Sequence, residues 1–248
     1  MRALFKLAIT EFKLFLREPA ATFWVIVFPV LWMVFFGLLY PEGPKEYGYG
    51  DISEAQYLLP GGIGIVIIAA SFMGMTINIA TYRNLGILRR FRVTPLKTSI
   101  FMGSHLLNQC LQIAVGISLL FMAGLFFDAG VEGSIPELIA LIILGMLSFL
   151  ALAFALASVA KTPRSAGLIS MLIFFPMIFL CEIFIPIEDL PSWLQPVAEV
   201  LPLTPLNHGL RDVILGWGGL GDNLLNLGIL SGWLVVGLLV SLKWFRWE

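Results

Sequence analysis

Charge is scarce in this chain of 248 residues: Asp, Glu, Lys and Arg make up 12% of it, against roughly 25% in soluble domains, while hydrophobic residues reach 59%. A water-soluble fold of ordinary composition is excluded by that balance. The formal net charge of −1 removes the basic surplus that a nucleic-acid partner would require. Only Cys110 and Cys181 are present, both within apolar stretches, so neither a disulfide framework nor a thiolate metal site is supported. Histidine is equally rare, and His105 and His208 fall in opposite halves of the chain, too few ligands for a haem or a di-metal centre. Neither H-E-x-x-H nor G-x-S-x-G occurs, and no P-loop, so familiar hydrolase sites and an ATPase site of the chain's own are missing from the sequence. No cofactor is expected in this chain.

Apolar residues instead gather in six long runs, about Thr22 to Tyr40, Tyr57 to Ile79, Ser99 to Phe127, Pro136 to Ala160, Ser165 to Ile185 and Leu224 to Lys243. Each covers a hydrocarbon core of roughly 30 Å at about 1.5 Å per helical residue. Backbone groups in lipid must be satisfied within the segment, and runs this long without period-two alternation exclude a barrel. The fold class is therefore all-α, a single transmembrane domain over residues 1–248 with six spans. The first run lacks a small-residue cleavage site behind it and reads as a retained span, not a signal peptide.

Of the 15 Lys and Arg residues, all but Lys45 and Arg211 fall in segments that six spans place on one side. The positive-inside rule assigns that side to the cytoplasm of a cell membrane, together with both termini. Ahead of the first run, Arg2, Lys6, Lys13 and Arg17 form one helical stripe beside Phe5, Ile9, Phe12 and Leu16, so residues 1–20 are expected to be an amphipathic helix on the inner surface, in contact with lipid. Residues 186–221 are broken by Pro186, Pro191, Pro196, Pro202 and Pro205. They cannot form one straight span and read as short re-entrant or interfacial helices capping the outer end.

Within the spans polarity is sparse. His105, Asn108, Gln109 and Gln112 share one face of the third run, and Ser71, Gly74, Asn78 and Thr81 one side of the second. Each stripe fits either interhelical hydrogen bonding or a translocation path. Phe174, Phe175 and Phe179 around Pro176 read as core packing or as an apolar gate. Gly228 and Gly232 allow close helix approach in the last run. Glu182, at the outer end of the fifth run, reads as a loop-paired or snorkelling carboxylate. With few ionisable groups at mid-membrane, the chain shows no energy source of its own and points to a partner that supplies it.

The loop at residues 81–97 carries Arg83, Arg89, Arg90, Arg92 and Lys97, no acid, and apolar Leu85, Leu88 and Phe91 at three-residue spacing, a contact face rimmed by cations. The stretch YRNLGILRRFRVTPL from Tyr82 to Leu96 resembles the signature of ABC type-2 permeases, the membrane subunits of ATP-binding-cassette exporters. F-x-R-E-P at Phe15 to Pro19, and L-P-x-W-L-Q-P followed by L-P-L-T-P between Leu190 and Pro205, are similar to further motifs of that family. Ile87 stands where threonine is commoner and Tyr82 where glutamate is.

That resemblance implies a coupling helix in the loop, docked on a separate ATPase that binds ATP and magnesium, and two permease copies, alike or different, facing each other. It implies that Arg83, Gly86, Leu88, Arg89, Arg90, Phe91, Arg92, Thr94 and Pro95 contact the ATPase. Asn78, Asn108, Gln112, Phe174, Phe175 and Phe179 are carried as the possible translocation path, with Phe174, Phe175 and Phe179 as a gate at the dimer axis. The cargo expected is a drug, lipid or similar amphiphile. Two rival classes stay open, an ion-coupled carrier or channel and a membrane enzyme with an unfamiliar site. A soluble ATPase that co-purifies would separate the first reading from both.

Overall fold

The computed structural model describes residues 2–39, 54–87, 98–160, 162–184 and 186–244. Every element in them is helical: α1 (Arg2–Arg17), α2 (Pro19–Leu39), α3 (Ala55–Asn84), α4 (Thr98–Leu125), α5 (Ile135–Val159), α6 (Pro163–Leu180), α7 (Gln195–Val200), α8 (Leu203–Ile214) and α9 (Leu224–Trp244). Six of them, α2 to α6 and α9, are long and apolar enough to cross a membrane, matching the six runs of the sequence. The second reaches five residues beyond its expected end.

Local chemistry sets the boundaries. Glu18 is extended (φ −95°, ψ 99°) and Pro19 opens α2, where a missing N–H costs nothing. Thr162 and Ser165 form a reciprocal capping box at the start of α6, with Pro163 in the first turn. Pro136 and Glu137 occupy the first turn of α5. Two spans are not uniformly α-helical: Phe23–Val27 in α2 and Ala69–Thr76 in α3 adopt the wider π form, and the two stretches touch. A π-turn weakens its own ladder and leaves backbone groups for other partners. Around the stretch in α3, the Ser170 hydroxyl of α6 donates to the Phe72 carbonyl at 2.8 Å, and the Thr76 hydroxyl donates to Ala153 of α5 at 3.2 Å.

The core is α3. Its most apolar window is 89% buried, against 28% for α2 and 11% for α9, and every residue from Ala55 to Thr76 is buried. That is expected of a helix apolar on all sides. Small residues let neighbours reach it: a Cβ on Gly64 would sit 2.7 Å from the Asn207 amide, and one on Gly116 of α4 would sit 2.7 Å from Val66. The last span is held at Gly237, where a Cβ would meet the Ala151 backbone at 2.8 Å. At Gly228 and Gly232, read from the sequence as positions that allow close approach, an added Cβ would meet nothing within 4 Å among the described residues.

Two expected segments form, with details the sequence did not supply. Helix α1 forms, but Ala8, Glu11 and Phe15 make its packed face, against α4, whereas Phe5, Ile9 and Leu16 are exposed. The 186–221 segment does form short helices, with Trp193, Val197 and Val200 exposed on and before α7, while α8 enters the bundle, nearer the re-entrant than the interfacial of the two readings. It is buried almost throughout, packed against α3, α5 and α9, because Leu206 and Leu210 pack inward while its cation Arg211 has a buried partner.

Candidate functional site

That partner is Glu182. Its carboxylate accepts from Arg211 Nη1 at 2.9 Å and meets His208 Nε2 at 2.5 Å, while Arg211 Nη2 donates to the Glu182 carbonyl at 2.9 Å. Tyr57 of α3 lies under the guanidinium, 4.6 Å from ring centroid to carbon. Burial pushes the Glu182 carboxyl up, but the His208 contact and the charges of His208 and Arg211 outweigh it and hold the group below its ordinary value. The Asn207 amide donates to the Cys181 carbonyl at 2.7 Å, and Asn223 donates to Asp212 at 2.9 Å. Gln56 donates to Glu132 at 3.2 Å. The charges of Glu182 and Arg211 are paired and support packing; Glu182 is loop-paired, one of the two readings of the sequence.

At the end where α3 leaves the bundle the picture reverses. A cavity of about 200 Å³ opens between α1, the start of α2, α3 and α4, lined among others by Glu11, Glu18, Asn78, Tyr82, His105 and Asn108. His105 Nδ1 lies 3.0 Å from a Glu11 carboxylate oxygen, and the Tyr82 ring sits 4.9 Å from the imidazole. Deeper, Gln109 and Gln112 are wholly buried and turn their amides toward Gly74, where a Cβ would come within 3.1 Å of Gln109 and 3.5 Å of Gln112. The side-chain polar atoms of Gln109 and Gln112, Asn108 Oδ1 and Ser71 Oγ have no hydrogen-bond partner among the described residues. Buried amides without partners cost about 1 to 3 kcal/mol each, so a cluster of them beside a cavity marks a place built for something other than stability.

The expected site residues divide accordingly. Asn78 and Asn108 line the cavity and Gln112 lies behind it. Phe174 and Phe175 set their edges on Trp24 of α2, at 6.0 and 5.8 Å, with Phe174 buried and Phe175 half-exposed. Phe179 stands apart, stacked on Phe184 at 5.3 Å. Arg83 donates to the carbonyl of Ala160, the last residue of the turn that ends α5, a favourable place for a cation. Gly86 makes the turn after α3 with φ +66°, a conformation that suits glycine, and Leu85 beside it is exposed. Leu88, Arg89, Arg90, Phe91, Arg92, Thr94 and Pro95 lie outside the described residues. Glu11, Glu18 and Tyr82 were not singled out for the cavity from sequence. The available signal was Glu11 at the centre of the Ala8, Glu11, Phe15 stripe, a carboxylate on the packed face of a basic helix.

Six bundled spans, a polar cavity open at one end and a glycine-turned basic loop at the same end define a polytopic membrane transport subunit. The particular family follows from comparison: the chain belongs to the ABC-2 type transporter family, whose model matches residues 2–215. Among similar proteins are the daunorubicin resistance ABC transporter permease protein DrrB1 of Streptomyces coeruleorubidus, 24% identical over 89% of this chain and 76% of its own length, and the putative transport permease YvfS of Bacillus subtilis, 24% identical over 99% and 98%. A putative transport permease ycf38 of Porphyra purpurea is 26% identical over 79% of this chain and 68% of its own length. The chain is thus a permease subunit of an ABC transporter, whose family implies a partner ATP-binding subunit, and not itself a catalyst of ATP hydrolysis.

Proposed function

We propose that this subunit exports a hydrophobic or amphipathic substrate, a drug, lipid or similar molecule, using ATP hydrolysed by a separate ATPase that holds the nucleotide and magnesium. The observation that carries the reading is mechanical: the most buried helix, α3, runs directly into the basic loop. Force applied beyond Gly86 is transmitted to the core, and the Arg83 contact on Ala160 carries it to α5. The match to a daunorubicin-resistance permease supports a drug-like cargo.

In this reading the basic end, both termini and the cavity face the cytoplasm, and residues 81–97 dock on the ATPase through Leu88 and Phe91 within a rim of Arg89, Arg90 and Arg92. Two permease copies face each other in the cell membrane, with the exposed Phe175 and Phe179 of α6 toward the partner or lipid. Cargo moves from the cavity past Asn78, Asn108 and Gln112. The double variant Leu88→Glu with Phe91→Glu is expected to lose ATPase capture and export while remaining folded in the membrane. Undiminished ATPase pull-down and transport by that variant would refute the coupling assignment.

A further inference from the structure

Of the 16 acidic residues, only Glu11, Glu18 and Glu248 belong to the segments that hold the 13 cations of the basic end, that is, the 15 less Lys45 and Arg211. Two of those three line one cavity. Glu18 is exposed at its rim, whereas Glu11 is 9% exposed and turned inward, away from Lys6, Lys13 and Arg17, which stay exposed. Neither Lys nor Arg is among the described residues that line the cavity, whose one basic side chain among them is the His105 imidazole against Glu11. Among the described residues, the electrostatics of this small volume therefore oppose those of the surface around it. A surface dense in cations repels a cationic solute, so a site for one there needs its own carboxylates.

Hydrogen-bonding capacity narrows the chemistry. Asn108 is 2% exposed, lines the cavity and leaves its Oδ1 without a partner among the described residues. An amide oxygen is an acceptor, as are both carboxylates. Three acceptors facing one space suit a group with several N–H donors, which a primary ammonium has and a quaternary one lacks. Drug-sized molecules occupy pockets of roughly 300 to 1,000 Å³, so about 200 Å³ holds a head group and not a whole amphiphile. Leu14, Phe15, Ala21 and Met73 form an apolar wall, and exposed Leu14 extends it outward, a path for an aliphatic or aromatic tail.

We infer that the cavity between α1, α3 and α4 binds the primary ammonium head of a lipophilic amine, with Glu11, Glu18 and Asn108 as its acceptors. This deepens the export reading and rests on it for the claim that the bound amine is cargo. The ammonium could belong to a free amine or to an amino-headed lipid, and both present the same group to the same acceptors.

Equilibrium dialysis of radiolabelled octylamine against the full-length protein in phosphatidylcholine nanodiscs, with empty nanodiscs subtracted, tests it. Octanol and octanoate of equal chain length serve as neutral and anionic controls. Octylamine is expected to bind at least tenfold more tightly than either, and Glu11→Gln with Glu18→Gln to lose at least tenfold in octylamine affinity. Glu18→Gln alone, at an exposed position that carries no packing, is expected to lose about threefold, and Glu11→Asp to retain most binding. Equal binding of octanol, or undiminished octylamine binding by the double variant, overturns the site. Adding phosphatidylethanolamine to the nanodiscs supports a lipid source if octylamine is displaced and a free amine if it is not. ATPase capture by the same variants keeps the two readings apart: capture without charge-selective binding sinks the amine site alone, and charge-selective binding by a chain that captures no ATPase sinks the export reading alone.

Discussion

The two ends of this bundle handle buried polarity in opposite ways. Around Glu182 the carboxylate meets Arg211 and His208, and the Asn207 amide donates to a backbone carbonyl. Beside a π-helical stretch and a cavity, Asn108 Oδ1 and the amides of Gln109 and Gln112 are buried as deeply with no partner among the described residues. Ion pairs held by several hydrogen bonds fix a geometry even though Arg211 Nε and Asn207 Oδ1 stay without a partner among the described residues, whereas a cluster of unsatisfied amides destabilises and keeps its capacity for another molecule. One end is therefore a clasp and the other, on the reading proposed above, a receptor, built from the same few polar residue types.

The strongest way to break this contrast is at the clasp. Arg211→Ala leaves Glu182 buried with His208 as its remaining charged partner, and a broken buried pair costs about 3 to 5 kcal/mol. The variant is expected to unfold at a much lower temperature in detergent, measured by tryptophan fluorescence, while Glu18→Gln at the other end leaves the transition in place. An unchanged transition in Arg211→Ala would show that the clasp does not hold the bundle.

A smaller effect of opposite sign is expected at the receptor end. Gln109→Leu and Gln112→Leu remove amides that no described group satisfies, so each is expected to raise stability by roughly 1 kcal/mol while lowering transport. Loss of stability in both would mean that these amides are well bonded in the membrane. The same melting and transport assays read both quantities.

The smallest effect is in pH. The folded Glu182 carboxyl lies below its ordinary value of 4.5, so its contribution to stability is complete above that pH and is lost as pH falls below it through the folded value. Melting temperature is expected to fall more steeply below pH 4.5 in the wild type than in Glu182→Gln. Parallel curves would remove Glu182 from the acid response.

Much of the architecture was legible before any coordinates. The six apolar runs became six spans because each must satisfy its own backbone in lipid, and that requirement is local. The Tyr82 to Leu96 stretch, together with the motifs at Phe15 to Pro19 and between Leu190 and Pro205, carried the resemblance to the family. Less legible was α8, whose prolines and Arg211 resemble a surface segment; its burial depends on Glu182, 29 residues away in sequence. The glycine contacts were misassigned for a similar reason. Gly228 and Gly232 have helical spacing, but Gly237 faces Ala151, and only the rotation of α9 about its axis decides which glycine meets a neighbour. At the cavity, Asn78 and Asn108 were found by their polarity in apolar runs, whereas Glu11 was hidden within a helix read as a basic stripe.

By itself the sequence determined the number of spans, the helical class, the charge asymmetry between the two ends and the permease family, because hydropathy and charge act segment by segment. Tertiary structure alone decided that α3 is the core, that α8 enters the bundle, and which acids and amides share a cavity. Between helices of equal greasiness, transfer energy gives no preference for one neighbour over another, so shape at glycines and the pairing of a few polar groups make the choice.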